Sequence, residues 1–343
     1  MTKTLRLPQD LAGAGLISAD QIPALEQVAA RYAVAITATS ADLIDPSDPN
    51  DPIARQFIPQ TAELDLAPGE MADPIGDVTH SPVNGIVHRY PDRVLLMVTH
   101  TCATYCRFCF RRETVGVEGP LSAPALDEAL AYIAAHPQIW EVILTGGDPL
   151  VLSPRRLGAI MDRLRTIDHV KIVRLHSRIP AVDPSLITPA LIKALKRCGK
   201  TVYVAIHANH PRELTGAVRA ACAQMIDAGI AMLSQTVLLK GVNDDPQVLG
   251  ELMRGFVEMR VRPYYLHHAD LAPGTAHFRT SLAAGQAIMR QLRGHISGLA
   301  QPTYILDIPG GHGKAPVGPA YVRNGDQVTD PWGVEHAYPP KPA

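Results

Sequence analysis

Three thiols crowd into eight positions of this 343-residue chain, as Cys102, Cys106 and Cys109 in THTCATYCRFCFRR. Thiolates this close on one tight loop suit a soft metal centre, and with no fourth cysteine nearby one metal position stays open. A zinc ion completed by a distant histidine, or chance clustering, are the competing readings. The total of five cysteines is odd and argues against a disulfide framework. Cys198 and Cys222 stand singly in helical patterns and read as small buried hydrophobes. A second chemically capable segment is DIPGGHGKAP, residues 307–316, where a glycine-rich run delivers Lys314. A phosphate-binding GxxxxGK[ST] loop is excluded, because Ile308 stands where glycine is required and Ala315 where Ser or Thr is. The remaining reading is a flexible loop carrying a lysine able to form a Schiff base with an aldehyde cofactor.

Groups so far apart in sequence need a scaffold that collects them. From residue 94 onward, short β-branched runs alternate with amphipathic segments of helical length: 94–100, 141–145, 171–177, 201–207, 232–239, 262–268 and 303–308. Such alternation specifies a parallel sheet with right-handed crossovers. The expected fold class is α/β, a partial or complete (β/α) barrel, with an open doubly wound sheet as the alternative. Polar groups favour the barrel, because they follow the ends of successive strands: the cysteines, Gly146-Gly147-Asp148, His176 to Arg178, His207 to His210, Asp270 and Lys314. Residues 1–88 form a helical and irregular N-terminal extension, 89–320 the barrel with its lysine loop, and 321–343 a tail. Within the extension, Leu16 to Tyr32 has helical spacing with Pro23 at an early position, and DPSDPNDPIARQFIPQ punctuates rather than packs.

Composition narrows the partners. With 46% apolar and 19% charged residues and a net charge of -1, nothing marks a nucleic-acid surface, so a small molecule is expected. No apolar run reaches membrane-spanning length and the N-terminus lacks a signal-peptide pattern, so a cytoplasmic protein is expected.

Taken together, HRYPDRVLLMVTHTCATYCRFCFRR, ILTGGDPL, LHSRIP, HANHP, SQTVLLKGVND and GLAQPTYILDIPGGHGKAPV resemble the lysine 2,3-aminomutase family of the radical S-adenosylmethionine superfamily, over about residues 80 to 320. That resemblance implies a 4Fe–4S cluster on Cys102, Cys106 and Cys109, with S-adenosylmethionine on the open iron. It implies pyridoxal 5′-phosphate on Lys314, with Arg89 and Arg93 for its phosphate. Gly146, Gly147 and Asp148 would meet the methionine amino group, and His207 and Gln235 would lie near S-adenosylmethionine. Arg111 would bind the substrate carboxylate, and Asp270 and Asp307 would grip a distal ammonium.

The implied reaction is migration of the α-amino group of L-lysine to the β-carbon, driven by an adenosyl radical. An electron donor such as flavodoxin or ferredoxin is implied, and a homo-oligomer is allowed for. Two features depart from the long family form. The cysteines that hold structural zinc there are missing, and His267 stands in place of a tyrosine. Both are shared with the short relatives that make β-lysine for elongation factor P, so that pathway, or an aminomutase for another basic amino acid, is the alternative.

Overall fold

The computed structural model describes residues 3–117, 119–323 and 325–340. Its main sheet has nine strands: β1 (Ile86–Tyr90), β2 (Arg93–Thr99), β3 (Glu141–Gly146), β4 (Ile172–Ser177), β5 (Thr201–His207), β6 (Ala231–Leu238), β7 (Arg262–His268), β8 (Thr303–Ile308) and β9 (Gly313–Pro316). Strands β2 to β8 are parallel and match the seven expected runs to within a residue at most ends. β1 and β9 flank them antiparallel and were not anticipated. Strand order follows sequence order from β1 to β9, with no reversal of direction along the sheet. A doubly wound sheet requires such a reversal, so the fold is the nearly closed (β/α) barrel.

Period-two alternation explains why these runs are strands and also why they form a site. Val94, Leu96 and Val98 of β2, Val142 and Leu144 of β3, Val173 and Leu175 of β4, and Val202, Val204 and Ile206 of β5 belong to the core beneath the outer helices. The residues between them, such as Leu95, Ile143, Thr145, Arg174 and His176, face inward and line the barrel cavity. Crossover helices start where the sequence supplies capping oxygens. Ser122, Ser153, Thr188, Thr215, Asp245 and Ser281 each accept a backbone N–H from the first turn, each contributing about 1 kcal/mol.

The last two strands of the sheet correct the reading of the lysine segment. Residues 309–312 form a tight turn, and β9 pairs with β8 in the register Asp307↔Lys314 and Ile308↔Gly313. Gly310, Gly311 and Gly313 take φ of +84°, +85° and +94°, a region that disfavours side chains. The glycines therefore build a hairpin, not a flexible loop. The two edges of the sheet approach each other here: the Lys314 N–H donates to the Tyr90 hydroxyl at 2.8 Å, and Arg89 of β1 reaches Asp307 of β8 at 3.3 Å.

The N-terminal region is more ordered than its composition suggests. The first expected helix runs Ile22–Arg31 after a 3₁₀ turn at Ala19–Gln21, with Pro23 in its first turn. The Pro/Asp-rich passage contains a helix, Pro52–Phe57, capped by the buried Asp51, whose Oδ1 accepts from Ile53 and Ala54 at 2.9 and 2.7 Å. β1 begins at Ile86, so the sheet crosses the expected boundary at 88/89. Beyond residue 320 three short antiparallel strands, β10 (Val322–Arg323), β11 (Gln327–Thr329) and β12 (Glu335–Ala337), form a separate small sheet.

The extension is fastened to the cysteine loop by buried charge. Glu63, with no exposed side-chain surface, accepts from Arg107 at 2.6 to 3.1 Å and also pairs with Arg112, the residues two before and three after Cys109. Arg112 also stacks over Tyr32 at 3.6 Å and donates to the Gly274 carbonyl at 3.2 Å. Removing the carboxylate strands two buried guanidinium groups. We expect Glu63→Gln to cost about 3–5 kcal/mol in chemical denaturation, with the loop loosened first; a loss below about 1 kcal/mol would contradict this account.

Candidate functional site

One cavity of about 270 Å³ runs through the barrel and is lined by every candidate residue. The cysteine loop closes one end. Cys102, Cys106 and Cys109 all line the cavity, and burial raises each thiol, Cys109 to about 11. The Asp148 charge, and after it those of Cys109 and Cys106, add to the effect at Cys102. Among the described residues, no group of three or more His, Cys, Asp or Glu side chains is gathered around a single point. Three part-buried thiols that line one cavity suit a soft metal centre.

The GGD turn after β3 is packed against the start of that loop. A Cβ on Gly146 would fall 2.4 Å from the Thr99 carbonyl, and one on Gly147 2.3 Å from the Thr101 carbonyl. The glycines are thus required by close approach of the chain to itself. Asp148 is likewise occupied. Oδ1 accepts from Leu150 N–H and the Ser177 hydroxyl at 3.0 and 2.8 Å, and Oδ2 from the N–H groups of Arg178 and Ile179 at 2.7 and 3.1 Å. Four donors saturate this buried carboxylate. It locks the ends of β3 and β4 together and holds Arg178, which corrects the expectation that it would be free to meet a ligand ammonium.

Histidines form the inner wall. His207 ends β5 opposite Gln235 of β6 in register. Burial and the Arg178 charge push His207 down to about 4, and burial drives His176 and His267 well below the usual imidazole range. All three are neutral at pH 7. Their Nε2 atoms are buried without a hydrogen-bond partner among the described residues, as is Arg89 Nε. Unpartnered buried polar atoms lining one cavity call for a polar guest.

At the other side of the cavity runs a chain of alternating charges. Arg111 pairs with Asp77 at 2.8 Å; Asp77 also meets Arg89 at 3.3 Å; Arg89 meets Asp307 at 3.3 Å; and Asp307 accepts from Lys314 Nζ. His267 Nδ1 lies 3.8 Å from the same Asp307. Asp270, half-buried, is raised to about 7 by burial and by the Asp307 charge. Arg93 stands apart from this chain: it pairs with Asp92 at 2.7 Å and stacks over Tyr90 at 3.8 Å, one-third exposed.

Asp77 was not anticipated. It lies in DPIGDVTHSP, outside the stretch whose motifs are distinctive, and nothing local marks it as a partner for arginines 12 and 34 positions downstream. His176 was anticipated only by its place after a strand. Glu63 and Gln56 carried no signal, because their partners are remote in sequence.

The description "Radical SAM superfamily" matches residues 96–252, and "Lysine-2,3-aminomutase" matches residues 289–328. The L-lysine 2,3-aminomutase of Clostridium subterminale is 47% identical over 290 residues, 84% of this chain and 70% of that protein. The protein of the same description from Escherichia coli K12 is 37% identical over 286 residues, covering 83% of each. A glutamate 2,3-aminomutase from Clostridioides difficile is 38% identical over 87% of this chain and 70% of its own length. No helix among the described residues is long and apolar enough to cross a membrane.

Proposed function

Because the chain belongs to the lysine 2,3-aminomutase family of radical S-adenosylmethionine isomerases, which use a 4Fe–4S cluster, S-adenosylmethionine and pyridoxal 5′-phosphate, we propose that this cavity moves the amino group of L-lysine from C2 to C3, giving β-lysine. The observation that carries the choice of lysine is the pair of carboxylates, Asp270 and Asp307, beside Lys314. Burial and the neighbouring Asp307 charge hold Asp270 partly protonated near neutrality. A substrate ammonium would favour its carboxylate form, whereas the side-chain carboxylate of glutamate would be repelled.

The residues fit the implied groups. Cys102, Cys106 and Cys109 would hold the cluster, with Gly146, Gly147, His207 and Gln235 bordering S-adenosylmethionine. Lys314 would carry the pyridoxal aldehyde, with Arg89 and Arg93 toward its phosphate. When bound, these groups supply a carbon-centred radical and a conjugated imine across which nitrogen can migrate.

The chain itself supplies position, charge and exclusion of water. Asp307 Oδ2, already accepting from Lys314 Nζ, is placed to take the proton the amine must lose before acting as a nucleophile. Arg111 presents its fork to Asp77 and its Nη1 to Thr145 at 3.3 Å, and a substrate carboxylate would exchange with Asp77 as its partner. Neutral His176, His207 and His267 offer hydrogen bonds without adding charge that would oppose a cationic substrate. Ile75, from the extension, lines the cavity, and its carbonyl accepts from Arg89, so the extension contributes to the wall that would limit solvent. The reaction also needs a low-potential one-electron donor of the flavodoxin or ferredoxin kind, and a cytoplasmic setting suits such a donor.

Anaerobic reconstitution with iron, sulfide, both organic cofactors and reductant should yield β-lysine from lysine and leave glutamate unchanged. The sign of the pH dependence follows from Asp270. Below about 7 it is protonated and a poor partner for ammonium; above, it is a carboxylate. KM for lysine should therefore fall by up to about tenfold per pH unit as pH rises toward 7, then level off. Product from glutamate in preference to lysine would overturn the assignment.

A further inference from the structure

Against the cysteine loop stands a buried cation that the reaction as described leaves unused. Arg178 follows β4 and is 8% exposed. Its Nη1 donates to Cys106 Sγ at 3.2 Å. Its Nη2 donates to Gln56 Oε1 at 2.6 Å and to Glu213 Oε2 at 2.8 Å. The backbone N–H is held by Asp148 at 2.7 Å, and the guanidinium lies 4.8 Å from the Phe57 ring and 5.4 Å from the Phe108 ring. Four elements thus fix one guanidinium against one thiol: the helix Pro52–Phe57, the turn after β3, the segment after β5 and the cysteine loop.

We propose that Arg178, oriented by Gln56 and Glu213, is a positioning residue that sets the reduction potential of the cluster through Cys106. The inference rests on the reading of Cys102, Cys106 and Cys109 as the cluster's ligands. Reduction adds one electron, taken from a low-potential donor, to the cluster and breaks no bond. The added negative charge is stabilised by a nearby cation and by N–H groups donating to ligand sulfur. In a dry pocket both effects are strong, because little solvent screens them. Glu213 acts with the opposite sign: it anchors the guanidinium and offsets part of its charge. A residue whose task was only to fasten the loop would need a bond to Gln56 or Glu213, but not a donor aimed at sulfur.

Two variants separate tuning from fastening. The full chain and its variants are reconstituted anaerobically, iron and sulfide are counted, and the midpoint potential is read by EPR-monitored redox titration. Arg178→Gln is expected to shift the midpoint to more negative values at unchanged iron content. Arg178→Lys, which keeps the charge but not the fork, is expected to recover part of the shift. Glu213→Gln is expected to shift it the other way, to more positive values. Midpoints for Arg178→Gln and Glu213→Gln equal to that of the parent protein would overturn the proposal. Should Arg178→Gln fail to hold a cluster, the sign of the Glu213→Gln shift decides alone. Failure of the parent protein itself to assemble a cluster would instead overturn the ligand assignment on which the inference stands.

Discussion

Lys314→Ala is expected to lower β-lysine formation by at least about 10³-fold while leaving the fold intact. The fold should survive because the position contributes to the hairpin through its backbone. Its N–H donates to Tyr90, and pairing with Asp307 in the β8–β9 ladder is unaffected by loss of the side chain. What disappears is the amine facing Asp307 Oδ2 inside the cavity. Borohydride reduction followed by peptide mapping should find pyridoxyl label at residue 314 in the parent protein and none in the variant. Labelling of another lysine, with turnover retained, would remove the residue from its role.

Loss of a cluster ligand should be as severe. Cys109→Ala is expected to reduce activity to background, with iron content well below that of the parent protein and no EPR signal from a reduced cluster. The control is Cys222→Ala. That thiol is buried in the helix Gly216–Asp227, raised to about 12 by burial alone, and has no charged partner. Its replacement removes one small buried group, costing roughly 1 kcal/mol with activity unchanged. Equal loss of activity in both variants would mean that general destabilisation, rather than ligation, explains the first.

These expectations also mark what could be read from the residues in order. The seven parallel strands were legible because each alternates between a face for the helices and a face for the cavity, as Val94 and Leu95 or Val173 and Arg174 show. The cysteine loop and Lys314 were legible because residue type, spacing and position after a strand coincide. Harder to see were pairings set by tertiary approach. Arg107 meets Glu63 across 44 positions, Arg178 meets Gln56 across 122, and Arg212 meets Asp51 across 161. Each partner looks like a solvated charge or a loop residue in its own neighbourhood. The glycines after β8 and β3 were read as freedom or as room for a ligand. In both places they instead permit a turn or a contact of the backbone with itself.

The same limit applies to Asp148 and Asp77. One carboxylate sits in a motif that suggests a ligand, yet the chain fills all its acceptor positions. The other sits in an unremarkable stretch, yet it is the shared partner of Arg89 and Arg111. Only the three-dimensional tally of donors and acceptors distinguishes them.

Where β1 meets β9, the barrel lacks the ladder that joins every other neighbouring pair of strands, and contacts from Tyr90 and Arg89 span the gap. One group held in that latch by its side chain, Asp307, is also one the chemistry must borrow, whereas Lys314 joins it through its backbone N–H alone. Whatever engages the Asp307 carboxylate therefore pulls on the fastening of the wall itself. Occupancy of the interior and the integrity of the cylinder become one coupled equilibrium, so an empty molecule should come apart at this line before any other.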